Sequence, residues 1–196
     1  MKYLTTIIFA LFILISCNDS SNITDPILNT TSQTLSKDGL NQYELIPLPP
    51  KSPAWEDSIF TVSKVINGNV GGVIQMSRYY ITASGSPCHV YIYLSIPKNA
   101  FTGTKNITMT LDDEFAAVHF YPEMVFAKEL RLFQSFEGLQ LENLPTGTID
   151  FVFIHDDGSI ELIKKNGIQI VVPQGIVRFQ NAKLLHFSRY GWIRKS

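Results

Sequence analysis

The sequence predicts an all-β protein, an antiparallel β-sandwich that follows an N-terminal lipoprotein signal and a flexible tether. From Ile59 onward, apolar and polar residues alternate with the period of two that is typical of strands with one buried face. Turn residues interrupt the alternation at short intervals, among them the hairpin dipeptides Asp157-Gly158 and Asn166-Gly167. No segment has a capped helical pattern of useful length. Many short strands at this spacing favour a sandwich or a barrel.

Residues 1–16 have the pattern of a secretory signal that is cut before a cysteine. Lys2 precedes an apolar run from Leu4 to Ile15, and the small residue Ser16 precedes Cys17. The run is shorter than the roughly 20 apolar residues that span a bilayer. We therefore expect cleavage before Cys17 and lipidation of its thiol with acyl chains such as palmitate. The alternatives are an ordinary cleaved signal and an uncleaved anchor.

Lipidation of Cys17 predicts a protein of the bacterial cell envelope, anchored on the extracytoplasmic side. The outer membrane or the cell surface is favoured over the inner membrane, which stays an alternative. Several acyl chains anchor a protein durably, whereas one myristoyl chain does so only marginally. The membrane is thus the first predicted partner. Nucleic acid is not expected, because 16 Lys and Arg nearly balance 17 Asp and Glu. Only two cysteines occur, so a lipidated Cys17 leaves Cys88 without a disulfide partner.

Residues 17–57 are predicted to form the lipidated cysteine and the tether. Their composition is rich in Ser, Thr, Asn and Pro, with no sustained apolar period. About forty such residues span roughly 35 Å as a flexible coil. The alternative is that Tyr43 to Leu48 and Trp55 dock on the domain as an edge strand, which would explain their apolar side chains.

Residues 58–196 form the predicted sandwich domain. Glu123 to Leu130 could form a helical turn or two. The last four strands are predicted to form a meander, because the two hairpin dipeptides suit a tight turn whose central residues both need a positive φ. The candidate strands are Ile59 to Ile66, Val70 to Met76, Tyr79 to Ala83, Cys88 to Ile96, Asn106 to Leu111, Ala116 to Tyr121, Leu130 to Phe136, Asp150 to His155, Ile160 to Lys164, Ile168 to Val172 and Ile176 to Gln180.

Alternation along the strand from Cys88 to Ile96 predicts a buried face and an exposed face. Cys88 falls on the buried face, where a thiol packs as a small hydrophobe. The other face carries His89, Tyr91 and Tyr93. These three side chains could stack on a sugar or on a partner protein. The alternative is cross-strand aromatic packing within the sheet.

Four motifs follow one another between residues 62 and 193: Gly68-Asn69-Val70-Gly71-Gly72, then Ile96-Pro97-Lys98-Asn99-Ala100-Phe101, then Tyr121-Pro122, and finally His186-Phe187-Ser188-Arg189-Tyr190. In this order they resemble the β-sandwich domain first named for zonula occludens and netrin-receptor proteins, here called ZU-five. The chain also resembles uncharacterised lipoproteins of Bacteroidota-like bacteria, and that resemblance implies no particular activity.

The resemblance implies one chemistry, because some members of the wider ZU-five group cut their own chain between the Phe and Ser of this last motif. On a regular strand, His186 and Ser188 project from the same face. His186 could then take the hydroxyl proton while Ser188 attacks the Phe187 carbonyl, and water would open the resulting ester. The alternative is a closing strand with Phe187 in the core.

The remaining motifs predict no metal site and no cofactor. Asp112-Asp113-Glu114 lacks the spaced ligands of a calcium loop and is typical of a solvated turn. The four histidines form no zinc pair such as H-x-x-x-H, and the sequence has no nucleophile elbow. We therefore expect a structural or protein-interaction module that acts on no external substrate. The rivals are an autoproteolytic module and a carbohydrate-binding domain that uses Tyr91 and Tyr93.

Overall fold

The computed structural model describes residues 34–35, 43–55, 59–142 and 146–195, all within the compact unit Ser32–Ser196. Short 3-10 helices lie at Pro53–Trp55, Thr146–Thr148 and Val172–Gln174, and within the described ranges no helix has the length and apolarity to cross a membrane. The strands are β1 (Thr34–Leu35), β2 (Tyr43–Leu45), β3 (Thr61–Asn67), β4 (Gly72–Ile81), β5 (Pro87–Ile96), β6 (Thr104–Leu111), β7 (Ala117–Glu137), β8 (Ile149–Ile154), β9 (Ile160–Leu162), β10 (Lys165–Asn166), β11 (Gln169–Val171) and β12 (Ile176–Lys195).

Two long antiparallel strands, β7 and β12, pair with each other and run through both layers of the fold. In one layer, the end of β7 pairs with β5, which pairs with β4, and the start of β12 pairs with β10 and β11. In the other layer, the start of β7 pairs with β6 and then β3, and the end of β12 pairs with β2 and with β8, which continues to β9 and β1. The predicted antiparallel β-sandwich is confirmed.

The core lies between these layers and is rich in aromatic side chains. Trp192 is fully buried, its ring lies 5.4 Å from that of Phe151 and 5.6 Å from that of Phe179, and its Nε1 donates a hydrogen bond of 3.0 Å to Oε1 of buried Gln134. The alternation predicted for β5 is also confirmed. Its inward residues Cys88, Val90, Ile92, Leu94 and Ile96 are at most 2% exposed.

Several predicted strands are parts of longer ones. The predicted strands at Val70 to Met76 and Tyr79 to Ala83 join as β4, and those at Ala116 to Tyr121 and Leu130 to Phe136 join as β7. The suggested helical turn at Glu123 to Leu130 is therefore wrong. This segment stays extended because β12 lies beside it, with Met124 opposite Phe187 and Val125 opposite His186.

The two hairpin dipeptides have different outcomes. Asp157-Gly158 joins β8 to β9 as predicted, with a hydrogen bond from the His155 N–H to the Ser159 carbonyl of 2.8 Å. Only Gly158 of the pair has a positive φ, +82°, so the turn is not the tight type that needs two such residues. Asn166-Gly167 forms no hairpin, because β10 and β11 both pair with β12. The predicted four-strand meander is therefore wrong in this part.

Part of the predicted tether belongs to the folded unit. Within residues 43–55, β2 pairs with Ile193–Lys195 at the end of β12. Ile46 is fully buried, and its N–H and carbonyl bond to the backbone of Trp192 and Ala116 at 2.9 and 2.8 Å. The boundary at residue 58 is thus too late, because burial and backbone pairing outweigh the coil-like composition. The alternative of a docked edge strand at Tyr43 to Leu48 is the one observed.

Candidate functional site

The predicted lipidation site, Cys17, lies outside the described residues, together with residues 1–16 and most of the tether. Its lipidation stays a prediction. The other sequence-predicted sites, the His89, Tyr91 and Tyr93 stripe and the His186-Phe187-Ser188 strand, lie in well-described strands of the sandwich.

The stripe on β5 is the centre of a larger surface, which we call the aromatic face. Register pairs Tyr91 with Ser77 and Ser135, Tyr93 with Gln75 and Phe133, and His89 with Tyr79 and Glu137. Alternation sends all nine side chains away from the core. The nine positions are Gln75, Ser77 and Tyr79 on β4, His89, Tyr91 and Tyr93 on β5, and Phe133, Ser135 and Glu137 on β7.

Rings of the aromatic face pack against one another and still present surface to solvent. Tyr79 and His89 meet edge to face with ring centroids 4.8 Å apart, and Tyr91 meets Phe133 in the same way at 5.7 Å. Cross-strand packing, the alternative weighed for this stripe, is therefore present. It leaves Tyr79 45% exposed and Tyr91 38% exposed. The rings are held in fixed orientations and remain accessible to a ligand.

A depression of about 160 Å³ lies on this face beside Tyr91. Its wall includes Ser77, Tyr79 and Glu137. The two residues opposite Tyr91 are serines, whose short side chains leave the depression unfilled. The Ser135 hydroxyl donates to Oε1 of Glu137 at 3.4 Å. Aromatic surface and hydrogen-bonding groups therefore meet in one place.

The His186-Phe187-Ser188 strand is irregular where the cleavage prediction needs regular alternation. The pairing of β12 with β7 shifts register between Leu184 and His186 and again between Phe187 and Arg189. Phe187 is buried, 5.0 Å from Phe120 between ring centroids. His186 and Ser188 both line a depression of about 240 Å³. The structure thus places both side chains in one surface feature but makes no hydrogen bond between them.

The ring of His186 faces other partners. The Tyr190 hydroxyl donates to the His186 carbonyl at 2.6 Å and lies 3.3 Å from Nδ1. Nε2 of His186 lies 3.8 Å from Oε2 of Glu161, which is also 3.7 Å from Nε2 of His155.

Burial lowers the pKa of His186, the Glu161 carboxylate opposes this effect, and His155 adds to it. Nε2 of His155 is buried and has no hydrogen-bond partner among the described residues. Even so, the part of the chain that the structure describes contains no group of three His, Cys, Asp or Glu side chains placed to hold a metal ion. The contacts of Glu161 with His155 and His186 connect the β8–β9 hairpin to β12.

Asp112 is more than part of a solvated turn. Its Oδ1 accepts the backbone N–H groups of Glu114 and Phe115 at 3.0 and 2.9 Å, and its Oδ2 accepts a bond from Arg189 Nη2 at 2.7 Å and lies 3.5 Å from His119 Nε2. The carboxylate fixes the loop between β6 and β7 to β12. These contacts assign Asp112 a structural role, because its carboxylate connects the backbone of the loop to the Arg189 side chain of β12.

Sequence reasoning identified the β5 stripe and missed its neighbours. Tyr79, Phe133 and Glu137 also occupy outward positions of alternating strands, which was a usable signal. Their meeting with Tyr91 depends on strand order and register, which alternation alone does not give. Glu161 and His155 were missed beside His186 for the same reason.

Comparisons of this chain with protein-family models, with curated proteins and with solved structures find no match. The class that the structure defines is an all-β, antiparallel sandwich with an exposed aromatic face.

Proposed function

We propose that this chain is a lipid-anchored protein of the bacterial cell envelope whose β-sandwich is a non-catalytic binding module, ZU-five-like in architecture. The aromatic face is the observation that carries the proposal. Five of its nine side chains are aromatic rings, counting His89, and they are contiguous on three paired strands. Scattered exposed apolar residues need no explanation, but contiguous patches mark interaction sites. A protein or glycan of the envelope is the proposed partner.

The proposed location rests on Lys2, the apolar run and Cys17. A lipid on Cys17 would hold the domain near the membrane while residues 18–42 connect it to β2. The folded unit would then bind the partner, and the lipid would anchor the protein to the membrane.

Co-sedimentation with envelope fragments distinguishes binding by the domain from anchoring by the lipid. The Cys17→Ser chain, used after a mass measurement shows that residues 1–16 are removed, has neither lipid nor apolar signal, so its sedimentation with fragments reports binding by the domain. We expect the Cys17→Ser chain to sediment, the same chain with Tyr91→Ala to stay in solution, and the same chain with Val125→Ala to behave as the parent. Val125 is 79% exposed and lies outside the aromatic face. Equal sedimentation of all three chains, or of none, contradicts the proposal.

A second candidate function is self-cleavage between Phe187 and Ser188, favoured by the register shift of β12 at this peptide. The partners of His186 oppose it, because Nδ1 faces Tyr190 and Nε2 faces Glu161. We expect the intact mass from fresh and aged protein under denaturing conditions. Loss of the nine residues from Ser188 to Ser196, prevented by Ser188→Ala, would establish cleavage instead.

A further inference from the structure

We propose that the depression beside Tyr91 binds a single ring of a neutral glycan, an inference that rests on the proposed function and names its ligand class. Its volume of about 160 Å³ is the space of about five water molecules at about 30 Å³ each. Sites that enclose drug-sized ligands measure about 300–1,000 Å³. The depression therefore suits one sugar ring, with the rest of the glycan lying across the face.

The chemistry of the depression matches a pyranose ring, which has an apolar C–H surface and a rim of hydroxyls. The Tyr91 ring is fixed by Phe133 at 5.7 Å and stays 38% exposed, so it offers a pre-oriented apolar surface. The Ser77 hydroxyl and the Glu137 carboxylate stand at the edge of the same depression. A few placed polar groups around an aromatic surface fix the orientation of a small ligand.

The same groups favour a sugar over a side chain of a partner protein. In protein–protein interfaces, the side chains that contribute most of the binding energy occupy well-packed pockets from which water is excluded. Here the wall carries an imidazole, the Ser77 hydroxyl and the hydrogen-bonded pair of Ser135 and Glu137, and an apolar side chain would bury these polar groups without adding a hydrogen bond. Glycan hydroxyls can satisfy all of them.

The charge of the aromatic face favours a neutral glycan. Of its nine side chains, Glu137 alone carries a formal charge at neutral pH, and none is a lysine or an arginine. Arg78 also lines the depression, but alternation turns its side chain to the opposite face of the sheet, where its guanidinium lies 6.0 Å from the centroid of the Phe60 ring. An acidic sugar would therefore meet the Glu137 carboxylate and no cation of these nine positions. Its binding would be opposed by like charge.

Affinity electrophoresis of the full chain in detergent tests the inference. The gels contain one of three neutral polysaccharides, dextran, xyloglucan or galactomannan, or the acidic polygalacturonate. We expect retardation by at least one neutral polysaccharide and none by polygalacturonate. Tyr91→Ala should weaken binding at least about tenfold, while Tyr91→Phe, which keeps the ring, should stay within about threefold of wild type. Glu137→Gln should weaken binding severalfold, and Val125→Ala should leave it unchanged. Thermal melting of each variant checks its folding.

Retardation by none of the neutral polysaccharides overturns the inference, as does retardation that Tyr91→Ala and Glu137→Gln leave unchanged. If the Cys17→Ser chain still sediments with envelope fragments through Tyr91, the inference about a neutral glycan falls and the proposed function stands. If neither the polysaccharides nor the fragments bind, both proposals fall.

Discussion

Replacing Asp112 by Asn should destabilise the sandwich and remove part of its sensitivity to acid. Burial alone would raise the pKa of the Asp112 carboxyl. The hydrogen bonds from His119 and from the Glu114 and Phe115 backbone, together with the Arg189 charge, outweigh burial and lower the pKa from 3.8 to about 2. The Asp112 side chain is 13% exposed, so solvent screening is modest.

A carboxyl whose pKa is lower in the folded chain than in the unfolded chain stabilises the fold when it is ionised. At about 1.4 kcal/mol for each tenfold change in proton affinity, the decrease from 3.8 to about 2 corresponds to about 2 kcal/mol. This contribution is present above about pH 4 and is lost as the pH falls from about 4 through about 2. Asp112→Asn should therefore lower the free energy of unfolding by about 2 kcal/mol at pH 7, and its stability should vary less below pH 4.

Urea unfolding of the full chain at pH 7 and at steps from pH 5 to pH 2 measures both effects. Asp113→Asn is the matched control, because the Asp113 side chain is 57% exposed and pairs with Lys51 at 2.9 Å. An exposed pair of this kind contributes about 0–1 kcal/mol. If Asp112→Asn costs no more than Asp113→Asn, or if wild type and Asp112→Asn lose stability in parallel below pH 4, the structural role assigned to Asp112 is refuted.

The other predictions concern the docked segment, the hairpin and the anchor. Tyr80→Phe removes the buried hydroxyl that donates to the Pro49 carbonyl at 3.0 Å, which should cost about 1–2 kcal/mol in urea unfolding, whereas Tyr79→Phe on the exposed face should stay within about 0.5 kcal/mol of wild type. Gly158→Val should cost about 1–2 kcal/mol, because φ is +82° there although the space around it is open, and a neutral effect would contradict the turn assignment. The full chain should fractionate with membranes and begin at Cys17 by mass spectrometry, and Cys17→Ser should leave the membrane or stay unprocessed. Identical fractionation and mass of the two would exclude the lipid anchor.

The sequence predicts the layers of this fold better than it predicts the neighbours within them. The period of two on β5 gives the buried position of Cys88 and the outward position of Tyr91, because side-chain direction on a regular strand depends only on parity. The pairing of β10 and β11 with β12 could not be predicted, because the Asn166-Gly167 dipeptide favours a hairpin locally and contacts with a distant strand override it.

The candidate sites show the same difference between side-chain direction, which the sequence predicts, and neighbouring residues, which it does not. Alternation predicts that His186 and Ser188 share a face, but register shifts interrupt β12 between Leu184 and His186 and between Phe187 and Arg189. Long-range contacts direct His186 toward Glu161 and Tyr190. Such shifts arise from the partner strand and leave no mark in the period of β12 itself. The aromatic face likewise needs the register of three strands, of which the sequence indicated one.

Site-specific photo-crosslinking in the intact envelope tests most directly whether the aromatic face is a binding surface. A photoreactive amino acid at Gln75 would lie on this face, and one at Ser63 would lie exposed on β3 in the other layer. The account predicts adducts from position 75, their loss when Tyr91→Ala is added, and none from position 63. Equal adducts from both positions, or adducts from position 75 that persist with Tyr91→Ala, would contradict it.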